Sequence, residues 1–195
     1  MKYCSIDLEM TGLHPETCDI LEMGVVLDDL SNPVPIDELP TFHCYFLPMH
    51  EGGTYHGEPF AISMHPTILR RISARESGYD YISPKKIGNT LKKFLTKHGY
   101  IEEKGKVTIN AAGKNFANCD LRFIEMQTDI PKHVHIRHTI LDPGPMYVTK
   151  DDDAIPGLGE CLRRAGFIDN VVSHTAVADA IDVVKVIRYK MLGDE

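Results

Sequence analysis

Lys2-Tyr-Cys-Ser-Ile-Asp-Leu-Glu-Met-Thr-Gly-Leu13 is the stretch whose reading decides the fold. Lys2–Leu8 reads as a β-strand. Tyr3, Ser5, Asp7 and Glu9 alternate onto one face, Cys4, Ile6 and Leu8 onto the other. Thr11-Gly12 breaks it. Downstream, Ile20–Leu27 is a second apolar run rich in β-branched residues, and Phe42–Leu47 is a third. The proline-rich stretch Asn32–Pro40 between them is a loop. Three short strands in succession predict an antiparallel meander.

The period then changes. Ile62–Ser73 reads as a helix with Pro66 near its start. Ser83-Pro84 opens another, with Ile87, Leu91, Phe94 and Leu95 at helical spacing. Lys106–Ala111 is a buried strand, Asn118–Gln127 a short helix and Val134–Leu141 a fifth strand. Pro156–Ala165 and Thr175–Met191 are helices, the last with Ala180, Val183, Val184, Ile187 and Met191 as its buried stripe. Strands first, then alternating helices and strands, predict one mixed α/β domain over residues 1–195 with a single central sheet.

Composition narrows the classes. No apolar run approaches the ~20 residues of a membrane-spanning helix. An acid stands where a signal peptide would carry its apolar stretch, so a soluble, cytoplasmic protein is expected. The five cysteines are odd in number and widely spaced, with no Cys-x-x-Cys pair, which argues for reduced, packed thiols. The net charge of −7 argues against a polyanionic partner, but its distribution is uneven. Residues 1–60 hold one basic and eleven acidic side chains; residues 61–106 hold ten basic and four acidic. The basic middle is either a solvated helical face or a phosphate-facing surface. Bound divalent cations would also let an acidic protein accept a polyanion.

Asp7 and Glu9, two apart on a strand, project to the same face. Like charges that close disfavour each other's ionisation unless a cation lies between them. Magnesium or manganese suits an all-oxygen site, although a strand end reaching solvent would also place two acids there. Asp120 opens a predicted helix, where the helix dipole alone favours an acid. His174 and Asp179 would share a site if His174 lies in a loop and the helix starts near Thr175. A loop histidine can act as a general base near neutral pH, but a surface histidine and a surface aspartate fit the same spacing.

Taken in order, these residues resemble the DEDDh exonuclease superfamily, which includes oligoribonuclease and the proofreading subunit of bacterial replicative polymerase. Ile6-Asp-Leu-Glu-Met-Thr-Gly-Leu13 resembles the first motif of oligoribonuclease almost letter for letter. Asn115-Phe-Ala-Asn-Cys-Asp120-Leu-Arg-Phe123 is similar to the second, and His174-Thr-Ala-Val-Ala-Asp179-Ala180 to the third. Ala180 stands where oligoribonucleases usually carry a second Asp, which brings this motif closer to the proofreading type. The resemblance spans residues 6–180.

It implies a ribonuclease H-like fold, with a central mixed five-stranded sheet flanked by helices. It implies two divalent cations, Mg2+ or Mn2+, held by Asp7, Glu9, Asp120 and Asp179, with His174 as general base. The expected activity is 3′→5′ removal of nucleoside 5′-monophosphates from single-stranded RNA or DNA ends. Substrate contacts would come from Met10, Thr11, Gly12 and Leu13, from His65 and from Asn115. Met10 fits an adaptable apolar wedge or a core side chain equally, and His65 fits a substrate contact or a helix-start surface residue. Relatives occur as monomers, homodimers and polymerase subunits, so a homodimer is one option. Two other readings keep the same fold: a non-catalytic single-strand-binding or scaffold domain, and an RNase H-like endonuclease.

Overall fold

The structure is a computed structural model that describes residues 1–167 and 175–193. The expected meander is present: β1 (Lys2–Met10), β2 (Ile20–Asp29) and β3 (Thr41–Phe46) pair antiparallel in turn. The chain continues through α1 (Pro59–Met64), α2 (Pro66–Ala74), β4 (Tyr81–Ile82), α3 (Ile87–Lys97), β5 (Glu102–Glu103), β6 (Lys106–Ile109) and β7 (Ala111–Ala112). Then follow α4 (Asp120–Gln127), α5 (Ile130–His133), β8 (Val134–Ile136), α6 (Pro143–Met146), α7 (Leu158–Arg164) and α8 (Ala176–Leu192). The main sheet is mixed and five-stranded, in the order β4-β3-β2-β1-β7, and a small second sheet runs β5-β6-β8.

Three local outcomes differ from the sequence reading. The strand expected over Lys106–Ala111 divides at Asn110, whose side chain donates to Lys2 O at 2.9 Å and whose carbonyl accepts from Cys4 N at 2.9 Å. Its first half joins the second sheet and its second half runs parallel to β1. Because of that division, Val134–Leu141 does not supply the fifth strand of the main sheet. It yields β8, parallel to β6, and a single bridge from Leu141 to Ala112. The fifth strand is β4, two residues long and too short to show a period. Finally, the helix expected over Ile62–Ser73 is two helices broken at His65. The ring of Pro66 disfavours helical backbone at the residue before it, and His65 sits at φ −114°, ψ 39°.

Helices cover both faces of the sheet, so β2 is buried along all but its last residue. On one face Cys4, Ile6, Leu8, Met23 and Val25 pack with Ile87, Leu91 and Leu95 of α3 and Phe123 and Ile124 of α4. On the other, Tyr3 and Val26 meet Ala180, Val183, Val184 and Ile187 of α8. Ile68 and Ile72 of α2 pack beside it on Leu21 and Tyr45. All five cysteines are free thiols, four of them buried, as expected. No helix among the described residues is long and apolar enough to cross a membrane.

Candidate metal centre

The site begins as a patch on the sheet. Residues paired directly across an antiparallel ladder point to the same face. The register pairs Asp7 with Gly24 and Glu9 with Glu22, then Gly24 with His43 and Glu22 with Tyr45. Six positions on three strands therefore share one face, three of them carboxylates. A bulge between Glu9 and Met10 ends this regularity and turns the chain away beyond the second carboxylate.

The N-terminus of α8 lies on this patch. It can do so because Gly24 has no side chain: a Cβ there would come within 2.4 Å of the Ala176 carbonyl carbon and the Val177 nitrogen. Asp179, in the first turn of α8, then faces β1. One ligand oxygen from each of Asp7, Glu9 and Asp179 falls within 4.8 Å of the others. A single divalent cation can bridge such a spacing.

Asp120 arrives from the opposite side of β1. Strand β7 pairs with β1 only at Cys4 and Ser5, so the sheet is open beyond them. The carboxylate of Asp120 fills that gap, accepting from Leu8 N at 2.9 Å. The preceding loop turns at Asn115, in left-handed backbone (φ 57°) that asparagine tolerates. The Asn115 carbonyl accepts from Asn118 N and Cys119 N, and its exposed side chain is bonded by Lys114. Sequence order alone could not show that Asp120 caps the strand carrying Asp7.

Electrostatically the acids of the site oppose one another's ionisation. Glu9, Asp120 and Asp179 are buried and Asp7 is partly so. Burial, followed by the charges of Asp120, Asp179, Glu9 and Glu22, holds the Asp7 carboxyl well above the usual range. Burial and the charges of Asp179, Glu22 and Asp120 push Glu9 up to about 8. Burial pushes Asp120 up to about 7 against the two backbone hydrogen bonds that favour its ionised form. A bound cation would relieve all of these at once. No protein-family model matches the chain, and no curated protein matches its sequence. The chemistry therefore rests on the geometry and on the motifs.

Of the remaining predicted residues, His65 is brought to the site. It is buried, with Nδ1 3.6 Å from Glu9 Oε2. Thr11 and Gly12 are buried in the turn beside it. The Thr11 hydroxyl bonds the carbonyls of Asp19 and His56 and accepts from Asp19 N, and the Thr11 carbonyl accepts from Glu58 N at 2.8 Å. Met10 is half-buried against the core, whereas Leu13 is 61% exposed. His174 lies outside the described residues.

Two features escaped the sequence reading. Helix α1 is flanked by Glu58, tied to Thr11, and by His65, against Glu9, and it exposes Phe60 (77%) and Met64. The Pro59-Phe60 pair, a proline able to open a helix, was the available signal. The other is Glu22, whose place opposite Glu9 depends on strand register. The three arginines of the basic middle have partners within the protein. Arg71 bonds the Tyr45 hydroxyl and lies over the Tyr79 ring, Arg75 lies over Tyr81, and Arg70 pairs with Glu76.

Proposed function

We propose that the chain is a metal-dependent 3′→5′ exonuclease of the DEDDh type on a ribonuclease H-like fold, acting on single-stranded RNA or DNA ends. The observation that carries this is the convergence of Asp7, Glu9 and Asp179 within 4.8 Å, with Asp120 bonded to Leu8 N of the same strand and the Asp7 and Glu9 carboxyls raised by burial and by the charges of neighbouring acids. The donor set is all carboxylate oxygen, which suits Mg2+ or Mn2+.

Asp7, Glu9 and Asp179 would hold such a cation, with Asp120 beside them to help hold a second; bound there, the metal would supply activation of water and stabilisation of charge on the leaving oxygen. His174, five residues before Asp179 in the third motif, takes the proton of the attacking water. His65, with Nδ1 3.6 Å from Glu9 Oε2, would lie beside the bound substrate. Leu13, Phe60 and Met64 offer apolar surface to terminal bases, a mode of contact that tolerates any sequence.

The test is digestion of 5′-labelled RNA and DNA oligomers with Mg2+ or Mn2+. A descending ladder with 5′-mononucleotide products is expected. A single internal cut, or binding without products, would overturn the reading in favour of an endonuclease or a binding module.

A further inference from the structure

Glu22 has no role in the three motifs, yet the site converges on it. It is 2% exposed and stands opposite Glu9 on β1 and Tyr45 on β3. Its two oxygens are divided between two elements. Oε1 lies 2.6 Å from His43 Nε2. Oε2 accepts from the backbone N–H of Ala176, the first residue of α8, at 3.3 Å. Another acid in this patch is costly, because its charge raises both Asp7 and Glu9 further. A neutral core residue would avoid that cost, so the carboxylate must be compensated by what it holds.

What it holds is the end of a helix. First-turn N–H groups have no acceptor within their own helix and carry the positive end of its dipole. Helix α8 meets the sheet at Gly24, a position with no side chain to key against. The Arg188–Asp28 pair fixes the far half of α8, and apolar contact alone leaves the helix's first turn little resistance to shifting along β2. Asp179 would slide with it, and it stands one turn from Ala176.

We propose that Glu22 is a positioning residue of the metal centre: by accepting from Ala176 N–H it pins α8, and so Asp179, against Asp7 and Glu9, while His43 fixes the carboxylate's other oxygen. This rests on the reading of the site as a divalent-cation centre. Two variants of similar volume separate the roles. Glu22→Gln keeps an acceptor oxygen and can still meet His43 through its amide; Glu22→Met fills the space without an oxygen.

The measurements are Mn2+ affinity by titration calorimetry and amide hydrogen exchange over residues 176–179 in metal-free protein. The Gln variant is expected to bind Mn2+ close to wild type. The Met variant is expected to lose about 10- to 100-fold, the usual effect of removing an outer-shell partner, with faster exchange confined to the first turn of α8. Wild-type Mn2+ affinity in Glu22→Met would overturn the proposal. So would an equal loss in both variants, which would make the charge of Glu22 the operative property. Failure of the wild-type chain to bind Mn2+ would overturn the cation reading instead. The exchange contrast, read without metal, distinguishes that failure from failure of the anchor.

Discussion

Helix α8 reaches one buried acid near its C-terminal half and a cluster of them near its start, and the two regions are built in opposite ways. Near its C-terminal half, Asp28 is sealed against Arg188, which donates Nε at 3.0 Å and Nη2 at 2.5 Å, and against the Tyr3 hydroxyl at 2.7 Å. Every oxygen there has a donor, and the guanidinium balances the charge. At the N-terminal end, Asp7, Glu9, Asp120 and Asp179 are gathered with Glu22, and His65 stands 3.6 Å from Glu9. Both regions use the same strands and the same helix. The first is a closed ion pair that fixes the helix to the sheet. The second crowds carboxylates together, which is the arrangement the proposed cation site requires.

The largest expected difference is in activity. Asp179→Ala should keep the fold and lower exonuclease turnover by about 1000-fold or more, since a misheld metal forfeits several kcal/mol of charge stabilisation. Wild-type rates in Mg2+ or Mn2+ buffer would break the comparison. At the other end, Arg188→Ala strands a buried carboxylate and should cost about 3–5 kcal/mol of stability in urea titrations, with turnover per folded molecule unchanged.

The acidic end should also respond to pH. A carboxyl whose folded pKa is raised binds more protons in the fold than in the unfolded chain, so the stability it allows is full below its unfolded value and is lost as pH rises. Glu9 at about 8 and Asp120 at about 7 set the window. Metal-free protein should lose melting temperature steadily between about pH 4.5 and pH 8, and saturating Mn2+ should flatten the decline. A melting temperature that rises over that window without metal would refute the electrostatic picture. The smallest effect concerns the contact that brings α8 to the site. Gly24→Ala should cost about 1–3 kcal/mol by overpacking and weaken Mn2+ binding, measurable by thermal shift with and without the ion.

Much of the frame was legible in the chain. Alternation along Lys2–Leu8 and the apolar stripe of Ala180, Val183, Val184 and Ile187 express periods of two and 3.6 residues, which local sequence carries directly. What was not legible depends on pairing. Tyr81–Ile82 becomes a sheet strand only because β3 offers an edge. The strand over Lys106–Ala111 divides because Asn110 bonds to both the Lys2 carbonyl and Cys4 N. The break at His65, by contrast, could have been read from Pro66, and it is this break that seats His65 on Glu9.

The sequence by itself determined the inventory: two carboxylates on one strand face, a third acid opening a helix, and a fourth in a helix whose apolar stripe must pack on a sheet. Only the tertiary structure decided that they meet. Register, which a one-residue slip would invert, sets Glu22 beside Glu9 and Gly24 beside Asp7. The bare backbone at Gly24 then admits the end of α8, and the acceptor at Glu22 holds it there. Distances between elements are fixed by close packing across the fold, and no local pattern in the chain encodes them.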